Sequence, residues 1–333
     1  MATSCYRSAF APSEGDRADF DGEATRPYNV QPDALLLNYK TVTYSFVPEP
    51  GQGVARVLVD PPLAGAKVAR TVRLTSGPCD DWRGALKATL ADPAEVRFAG
   101  NYPVACGEMN WSVADPRPAS YNARLIEAVW RDMGGKLGGQ VVEGLAPAGV
   151  RPSFESQSPA LAEVVRDINK FSNNVMAQQL FLSLALQRQP GLPATPDGAR
   201  AVLRQWLVER TGELPPGTRI DNGSGLSRDT RLSAALLTKL LQQAWGSATM
   251  PELISSLPVN GVDGTLRKSR AAAGRAHLKT GSLRDVAGVA GYVLSNSGRR
   301  YVLVAIVNHP NANAARPALD ALVQWSLRDT PSR

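Results

Sequence analysis

The stretch HLKTGSL, residues 277–283, places a lysine, a hydroxyl and a glycine directly before a segment of small and β-branched residues, DVAGVAGYV. The small and β-branched residues here and beyond predict strands over residues 277–283, 286–294 and 300–308, with a turn at 296–298 between the last two. A Lys-Thr-Gly triplet on such a strand is either part of a surface hairpin or one wall of an active site. The choice depends on whether other residues of the chain face it.

Size and charge restrict the classes of function. The chain has 333 residues, 43% of them hydrophobic, which is enough for two or three domains with cores of their own. The net charge of +7 suits a carboxylate-bearing or polymeric acidic partner. Lys and Arg are dispersed, so nucleic-acid binding is not predicted. There is no apolar stretch long enough for a transmembrane helix, and MATSCYRSAF lacks the pattern of a secretory signal.

The composition and the predicted secondary structure change along the chain. Residues 1–27 are polar and irregular, and residues 28–150 are rich in short β segments. The segment GQVVEG, residues 139–144, is predicted as one further strand. Residues 151–330 combine helices, three strands and a closing helix, which describes an α+β domain.

Cap residues predict where the helices of the last region begin. Ser158 is predicted as the cap of a first helix, Thr195 with Pro196 begins a later one that ends at Gly212, and Ser233 begins another. The Trp residues on apolar helix faces, among them Trp325, are predicted to be core.

A second motif is chemically complementary to the first. FSNNVMAQQ carries Ser172 and Asn174 where a helix resumes. A serine hydroxyl beside the amine of Lys279 can relay a proton, and an asparagine amide can hold a substrate carbonyl. Lys279 and Thr280 can bind a terminal carboxylate, and Gly281 leaves room for a peptide along the strand. Taken alone, each motif has a simpler interpretation, a helix cap and a turn.

Together, in this order, the two motifs match the penicillin-binding set of Ser-x-x-Lys, Ser-x-Asn and Lys-Thr-Gly. IDNGSGLSRDTRLSAALL (220–237) and LPVNGVDGTLRKS (257–269) resemble stretches of the D-alanyl-D-alanine carboxypeptidase/endopeptidase family, the class C low-molecular-mass penicillin-binding proteins of peptidase family S13. The resemblance runs from about residue 28 to 328 and is densest over 155–310.

This resemblance implies an α+β fold, the penicillin-binding/β-lactamase-like serine transpeptidase domain. Residues 151–330 would form its C-terminal part and residues 28–150 a β-rich accessory insert. The implied activity is hydrolysis of D-Ala-D-Ala and of cross-links in peptidoglycan through an acyl-serine, with stem peptides as substrates and β-lactams as inhibitors. No metal or organic cofactor is implied, and no oligomeric state.

The resemblance also assigns roles to individual residues. Ser172 would assist proton transfer to the leaving amine, and Asn174 would hold the substrate amide. Lys279 and Thr280 would bind the terminal carboxylate. The backbone N–H of Ser282, beside Gly281, would complete the oxyanion hole.

The cysteines leave an alternative open. From the residues alone, Cys79 and Cys106 are either a disulfide or two free thiols, and with two histidines the chain cannot complete a zinc site of the usual spacing. The resemblance implies the disulfide, since the spacing is similar to one found in the family's insert. A disulfide in turn implies an oxidising compartment such as the periplasm.

One element of the family is missing. None of the lysines has a serine three residues before it, and the only hydroxyl at that spacing is Thr265, within VDGTL. Acyl transfer needs the activated serine. We therefore expect an N-terminally truncated member that is inactive alone; the alternative is a non-catalytic peptidoglycan- or partner-binding module. A class A β-lactamase is disfavoured by the long β-rich region before Ser172.

Other chemistry is weaker. Ser224 lies in Asn-Gly-Ser-Gly, which lacks the glycines of a nucleophile elbow. His277 and His309 are predicted to be structural, hydrogen-bonded residues. Asp263 is predicted to be a turn residue.

Overall fold

A computed structural model describes residues 9–11, 15–92, 95–142, 144, 149, 151, 154–188 and 191–329. The chain divides into two compact units, Met1–Pro152 and Ser153–Arg333, and each is described by itself. Across these described ranges, no helix is both long enough and apolar enough to cross a membrane.

The first unit is built on two sheets. A five-stranded sheet has the order β7-β4-β2-β1-β8, and a three-stranded sheet has the order β3-β6-β5. The elements are β1 (Thr41–Glu49), β2 (Val54–Asp60), β3 (Lys67–Val68), β4 (Thr71–Thr75), α1 (Trp82–Ala85), β5 (Ala88–Thr89), β6 (Glu95–Phe98), β7 (Asn101–Pro103), β8 (Met109–Ala114) and α2 (Pro118–Asp132).

Aromatic side chains form the centre of this unit. Phe46 is fully buried on β1. Its ring stacks on Tyr102 with centroids 5.4 Å apart and meets the edge of Trp82 at 5.7 Å. A disulfide joins Cys79 to Cys106. The strand predicted for residues 139–144 is wrong for its described residues, 139–142 and 144, because no neighbouring strand pairs with them.

The second unit begins with helices. They are α3 (Leu161–Phe171), α4 (Asn174–Arg188), α5 (Pro196–Thr211), α6 (Ala234–Trp245) and α7 (Met250–Ser256). Thr195 caps α5 through Gly198 N at 3.0 Å, and Ser233 caps α6 through Leu236 N at 3.1 Å, as predicted. The cap predicted at Ser158 is wrong, because α3 begins at Leu161 with Ala160 as its N-cap.

An antiparallel sheet follows, with strand order β11-β10-β9. Its strands are β9 (Ala276–Ser282), β10 (Val286–Leu294) and β11 (Arg300–Asn308), close to the predicted ranges, and helix α8 (Arg316–Leu327) comes last. Leu278 of β9 packs in one core with Val323 of α8. Because strand side chains alternate between faces, neighbouring Lys279 points to the other face.

Strand β10 comes very close to β9 at Gly291. Gly291 lies so close to β9 that an added Cβ would come 2.1 Å from the carbonyl oxygen of His277, so only glycine fits. Trp325, predicted to be core, is 72% exposed on α8.

Candidate active site

The Ser-Asn-Asn triplet is the junction between α3 and α4. Ser172 follows the last residue of α3 in the left-handed conformation, with φ 55° and ψ 46°, which turns the chain out of the helix. The side chain of Asn173 then accepts a hydrogen bond from the N–H of Met176 at 3.0 Å and caps α4. Asn174 is the first residue of α4. A left-handed non-glycine residue is the kind of local strain that clusters at functional sites.

The left-handed turn directs Ser172 toward β9. Lys279 Nζ donates to Ser172 Oγ at 2.8 Å and to the carbonyl of Thr280 at 2.8 Å. An ammonium group has three donors, so these bonds leave one for a ligand. Burial lowers the pKa of Lys279 from its ordinary value of 10.5. The hydroxyl of Ser172 accepts from Lys279 and keeps its own proton available for donation.

Asn174 is held by the loop that contains Ser224, a contact that the sequence motifs did not predict. Its Nδ2 donates to the carbonyl of Ser224 at 2.7 Å. That loop is braced internally, since Asn222 Oδ1 accepts from Ser224 N at 3.0 Å. Gly223, at φ 69°, lies against α4, where an added Cβ would come 2.6 Å from Phe181. A side chain there would push Ser224 away from Asn174.

The remaining predicted residues lie at the end of β9. Thr280, Gly281 and Ser282 follow Lys279 directly, and the last two are exposed. An added Cβ at Gly281 would meet no atom of the described residues within 4 Å, and the φ of Gly281 is not in the left-handed region. The fold therefore does not require glycine there. The Ser282 hydroxyl accepts from Arg316 Nη2 at 3.0 Å.

A cavity of about 340 Å³ lies beside the same strand. Its lining includes Leu278, Thr280, Val289 and Val323, which belong to the α8 side of the sheet. Lys279 and Ser172 meet on the opposite side, so this cavity is not the space in front of the Lys279–Ser172 pair.

A partly buried ion pair beside the site was missed by the sequence analysis. Lys170, two residues before Ser172, donates to Asp263 Oδ2 at 2.6 Å and to the carbonyl of Leu257 at 2.7 Å. The prediction that Asp263 serves only as a turn residue is thus incomplete. A sequence signal for this contact is lacking, because the partners are 93 positions apart.

The two histidines take structural places. His277 Nδ1 forms a hydrogen bond of 3.1 Å with the carbonyl of Ile254, and burial lowers the pKa of His277. His309 Nδ1 accepts from Asn311 N at 3.0 Å. Both arrangements agree with the predicted structural roles.

Comparison with known families identifies the chain. The D-Ala-D-Ala carboxypeptidase 3 (S13) family matches residues 7–328. The chain belongs to this family. The resemblance inferred from the Ser-x-Asn and Lys-Thr-Gly motifs is therefore confirmed.

Curated relatives are longer than this chain. A carboxypeptidase DacB of Mycolicibacterium smegmatis is 31% identical over 291 residues, which cover 81% of this chain and 61% of the relative. A D-alanyl-D-alanine carboxypeptidase of Actinomadura sp. strain R39 is 30% identical over 245 residues, covering 70% of this chain and 45% of the relative. The S13 chain described here thus spans about three-fifths or less of these two relatives.

Solved structures confirm the fold class. Penicillin-binding protein 4 (dacB) of Haemophilus influenzae superposes with a TM-score of 0.70 at 19% identity, covering 95% of this chain and 73% of that one. The same protein complexed with a β-lactam gives a TM-score of 0.61 at 18% identity, with coverages of 86% and 70%. The predicted α+β penicillin-binding fold is therefore correct.

Proposed function

We propose that this S13 chain provides the substrate-binding wall of a serine-type D-Ala-D-Ala carboxypeptidase/endopeptidase that acts on peptidoglycan. The observation that carries the proposal is the 2.8 Å hydrogen bond from Lys279 to Ser172. It joins the Lys-Thr-Gly and Ser-x-Asn motifs in one place, in a chain whose family is named for this reaction.

The reaction divides among these residues as follows. A nucleophilic serine bonds to the carbonyl carbon of the penultimate D-Ala, and the amide C–N bond to the terminal D-Ala breaks. The serine proton reaches the nitrogen of the released D-Ala through the hydroxyl of Ser172. Water then hydrolyses the acyl-serine.

Substrate binding occupies the residues around that path. The third donor of Lys279 takes the terminal carboxylate. Asn174, held by Ser224, faces the substrate amide. The backbone N–H of Ser282 donates to the developing oxyanion. The open space over Gly281 supports this role, because a peptide can lie along the strand there.

This sequence contains no Ser-x-x-Lys motif that could supply the acylated serine. The chain by itself therefore binds D-Ala-D-Ala peptides and β-lactams without forming an acyl-enzyme. This same absence favours a second candidate, a non-catalytic peptidoglycan- or partner-binding module that uses the same wall.

The compartment is part of the proposal. The bond between Cys79 and Cys106 is a kind of cross-link that persists in oxidising surroundings. Together with a peptidoglycan substrate, it supports a periplasmic or other cell-envelope location.

Calorimetric titration with two forms of one peptide tests the binding role. Diacetyl-L-Lys-D-Ala-D-Ala carries the terminal carboxylate, and its C-terminal amide does not. We expect saturable binding of the acid and at least about tenfold weaker binding of the amide, since one charge-assisted hydrogen bond is worth this much. Equal binding of both forms would overturn the carboxylate role of Lys279. Activity in the chain with a Ser-x-x-Lys segment restored would separate the enzyme from the binding module.

A further inference from the structure

The loop formed by residues 257–264 contacts both elements that carry the Ser172–Lys279 pair, strand β9 and the end of helix α3. On one side it is bound to β9, since Leu278 N donates to the carbonyl of Pro258 at 2.9 Å and Asn260 N donates to the carbonyl of Ala276 at 3.0 Å. β9 carries Lys279. The position of this loop and the position of the lysine are therefore coupled through the backbone.

On its other side the loop holds the last turn of α3. Lys170 Nζ donates to Asp263 and to the carbonyl of Leu257, and Asn169 Nδ2 donates to Ser256 Oγ at 2.8 Å, just before the loop. An added Cβ at Gly264 would come 2.7 Å from the carbonyl oxygen of Lys170. The end of α3 is thus closely packed against the loop, and Ser172 follows it immediately.

Asp263 is suited to serve as the centre of this connection. Its Oδ1 accepts from Val259 N at 2.8 Å within the loop, while its Oδ2 accepts from Lys170 of α3. The side chain of Lys170 is 12% exposed and that of Asp263 is 41% exposed, so the ion pair is shielded from solvent mainly on its lysine side. Partial burial raises the pKa of Asp263, but the hydrogen bonds and the charge of Lys170 outweigh it and leave that pKa below 3.8.

We propose that Lys170 and Asp263 are positioning residues, which hold the left-handed Ser172 so that its hydroxyl stays within hydrogen-bond distance of Lys279. This inference rests on the proposed function only for its consequence in catalysis. The geometric claim concerns the chain alone and can be tested without turnover.

The test is a double-mutant cycle read by NMR at Lys279. The chain is labelled with ¹³C at the lysine ε position, and Lys279 is assigned with Lys279→Arg. The pKa of Lys279 is measured in the wild type, in Ser172→Ala, in Asp263→Asn and in the double variant. Asn keeps the shape of Asp263 and an acceptor for Val259 N but removes the charge that holds Lys170.

We expect Ser172→Ala to change the pKa of Lys279, and Asp263→Asn to produce at least half of that change. In the Ser172→Ala background, Asp263→Asn should then change the pKa of Lys279 little further, because the Ser172 hydroxyl that Asp263 helps to position is already absent. If Asp263→Asn acted instead through the electric field of the lost carboxylate, it would shift the pKa of Lys279 equally in both backgrounds. Equal shifts in both backgrounds, or no shift from Asp263→Asn, would overturn the proposal.

Two further variants control for unrelated effects. Asp167→Asn removes a carboxylate from α3 that is paired with Arg166 on the surface, and it should leave the pKa of Lys279 unchanged. Lys170→Met breaks the same ion pair from the other side and should reproduce Asp263→Asn, which covers the case in which one variant fails to fold. An effect of Asp167→Asn equal to that of Asp263→Asn would contradict the proposal.

The peptide titration distinguishes this inference from the proposed function. If the wild type binds diacetyl-L-Lys-D-Ala-D-Ala but the cycle is additive, the positioning claim fails and the binding role stands. If the cycle is non-additive and the peptide does not bind, the positioning claim stands and the function fails.

Discussion

Lys279 Nζ lies 2.8 Å from Ser172 Oγ, although the two residues are 107 positions apart in the chain. The contact depends on a left-handed turn at the end of α3 and on the face of β9 that points away from α8. Because Lys279 also donates to the carbonyl of Thr280, its ammonium group is oriented before any ligand arrives. Such preorganisation reduces the entropic cost of binding a carboxylate.

Replacing Lys279 should remove the anion-binding charge without removing the sheet. We expect Lys279→Ala to weaken binding of diacetyl-L-Lys-D-Ala-D-Ala at least about tenfold, or about 1.4 kcal/mol, in calorimetry. In a chain with a Ser-x-x-Lys segment restored, the same variant should lower penicillin acylation by at least about tenfold. Lys268→Ala, which removes an exposed lysine of the same unit, is the control. Unchanged affinity in Lys279→Ala would exclude the role.

The lowered pKa of Lys279 should be visible in the pH dependence of binding. Carboxylate binding requires the ammonium form, so affinity should fall as pH rises through a pKa that lies below 10.5. An affinity that stays constant up to the titration range of an ordinary lysine would contradict this expectation.

The same shift has a consequence for stability. Between the folded pKa and 10.5, the unfolded chain binds more protons at this lysine than the folded chain does. The contribution of Lys279 to the free energy of unfolding therefore rises with pH in that window. Urea unfolding across the window should show a steeper rise for the wild type than for Lys279→Met. Parallel curves would show that the lysine is not desolvated.

Alanine substitutions of two glycines on neighbouring strands should affect different properties, the stability of the fold at Gly291 and peptide binding at Gly281. Gly291→Ala forces a Cβ onto the carbonyl of His277 and should lower the free energy of unfolding by at least about 2 kcal/mol. Among the described residues, the methyl group of Gly281→Ala meets no atom within 4 Å. The melting temperature should therefore change little, while the added methyl group should weaken peptide binding. Full affinity in Gly281→Ala would show that no ligand passes over this strand.

The disulfide should stabilise the first unit mainly by restricting its unfolded state. The closed loop has a sequence separation of 27, for which chain entropy predicts about 3.5 kcal/mol. The double variant Cys79→Ser/Cys106→Ser should lose about this much in urea unfolding, whereas Cys5→Ser, which removes the third cysteine, should not. A loss in Cys5→Ser comparable to that of the double variant would contradict the expectation.

Local signals made some of this architecture predictable. Thr195 and Ser233 are caps whose partners lie three residues away, and the strands of the last sheet follow runs of small and β-branched residues and a turn. Short helix α7 was missed, because seven residues carry too few helical repeats to produce a periodic pattern. Residues 139–144 contain two adjacent β-branched valines, but β-branched residues do not supply a neighbouring strand.

The candidate site shows the same division. Ser172, Asn174 and Lys279 stood out because their residue types form recognisable triplets. Lys170 and Asp263 belong to no triplet, and their contact arises only when α3 packs against the loop before β9. Such contacts, made by tertiary packing, require coordinates.

Native mass spectrometry of the 333-residue chain with benzylpenicillin tests the central claim most directly, which is that these residues form the binding wall but not the nucleophile. The account predicts a non-covalent complex that is weakened in Lys279→Ala and dissociates completely on denaturation. A penicilloyl adduct that survives denaturation would contradict it, since a serine of this chain would then be the nucleophile. The absence of any complex would contradict the binding wall itself.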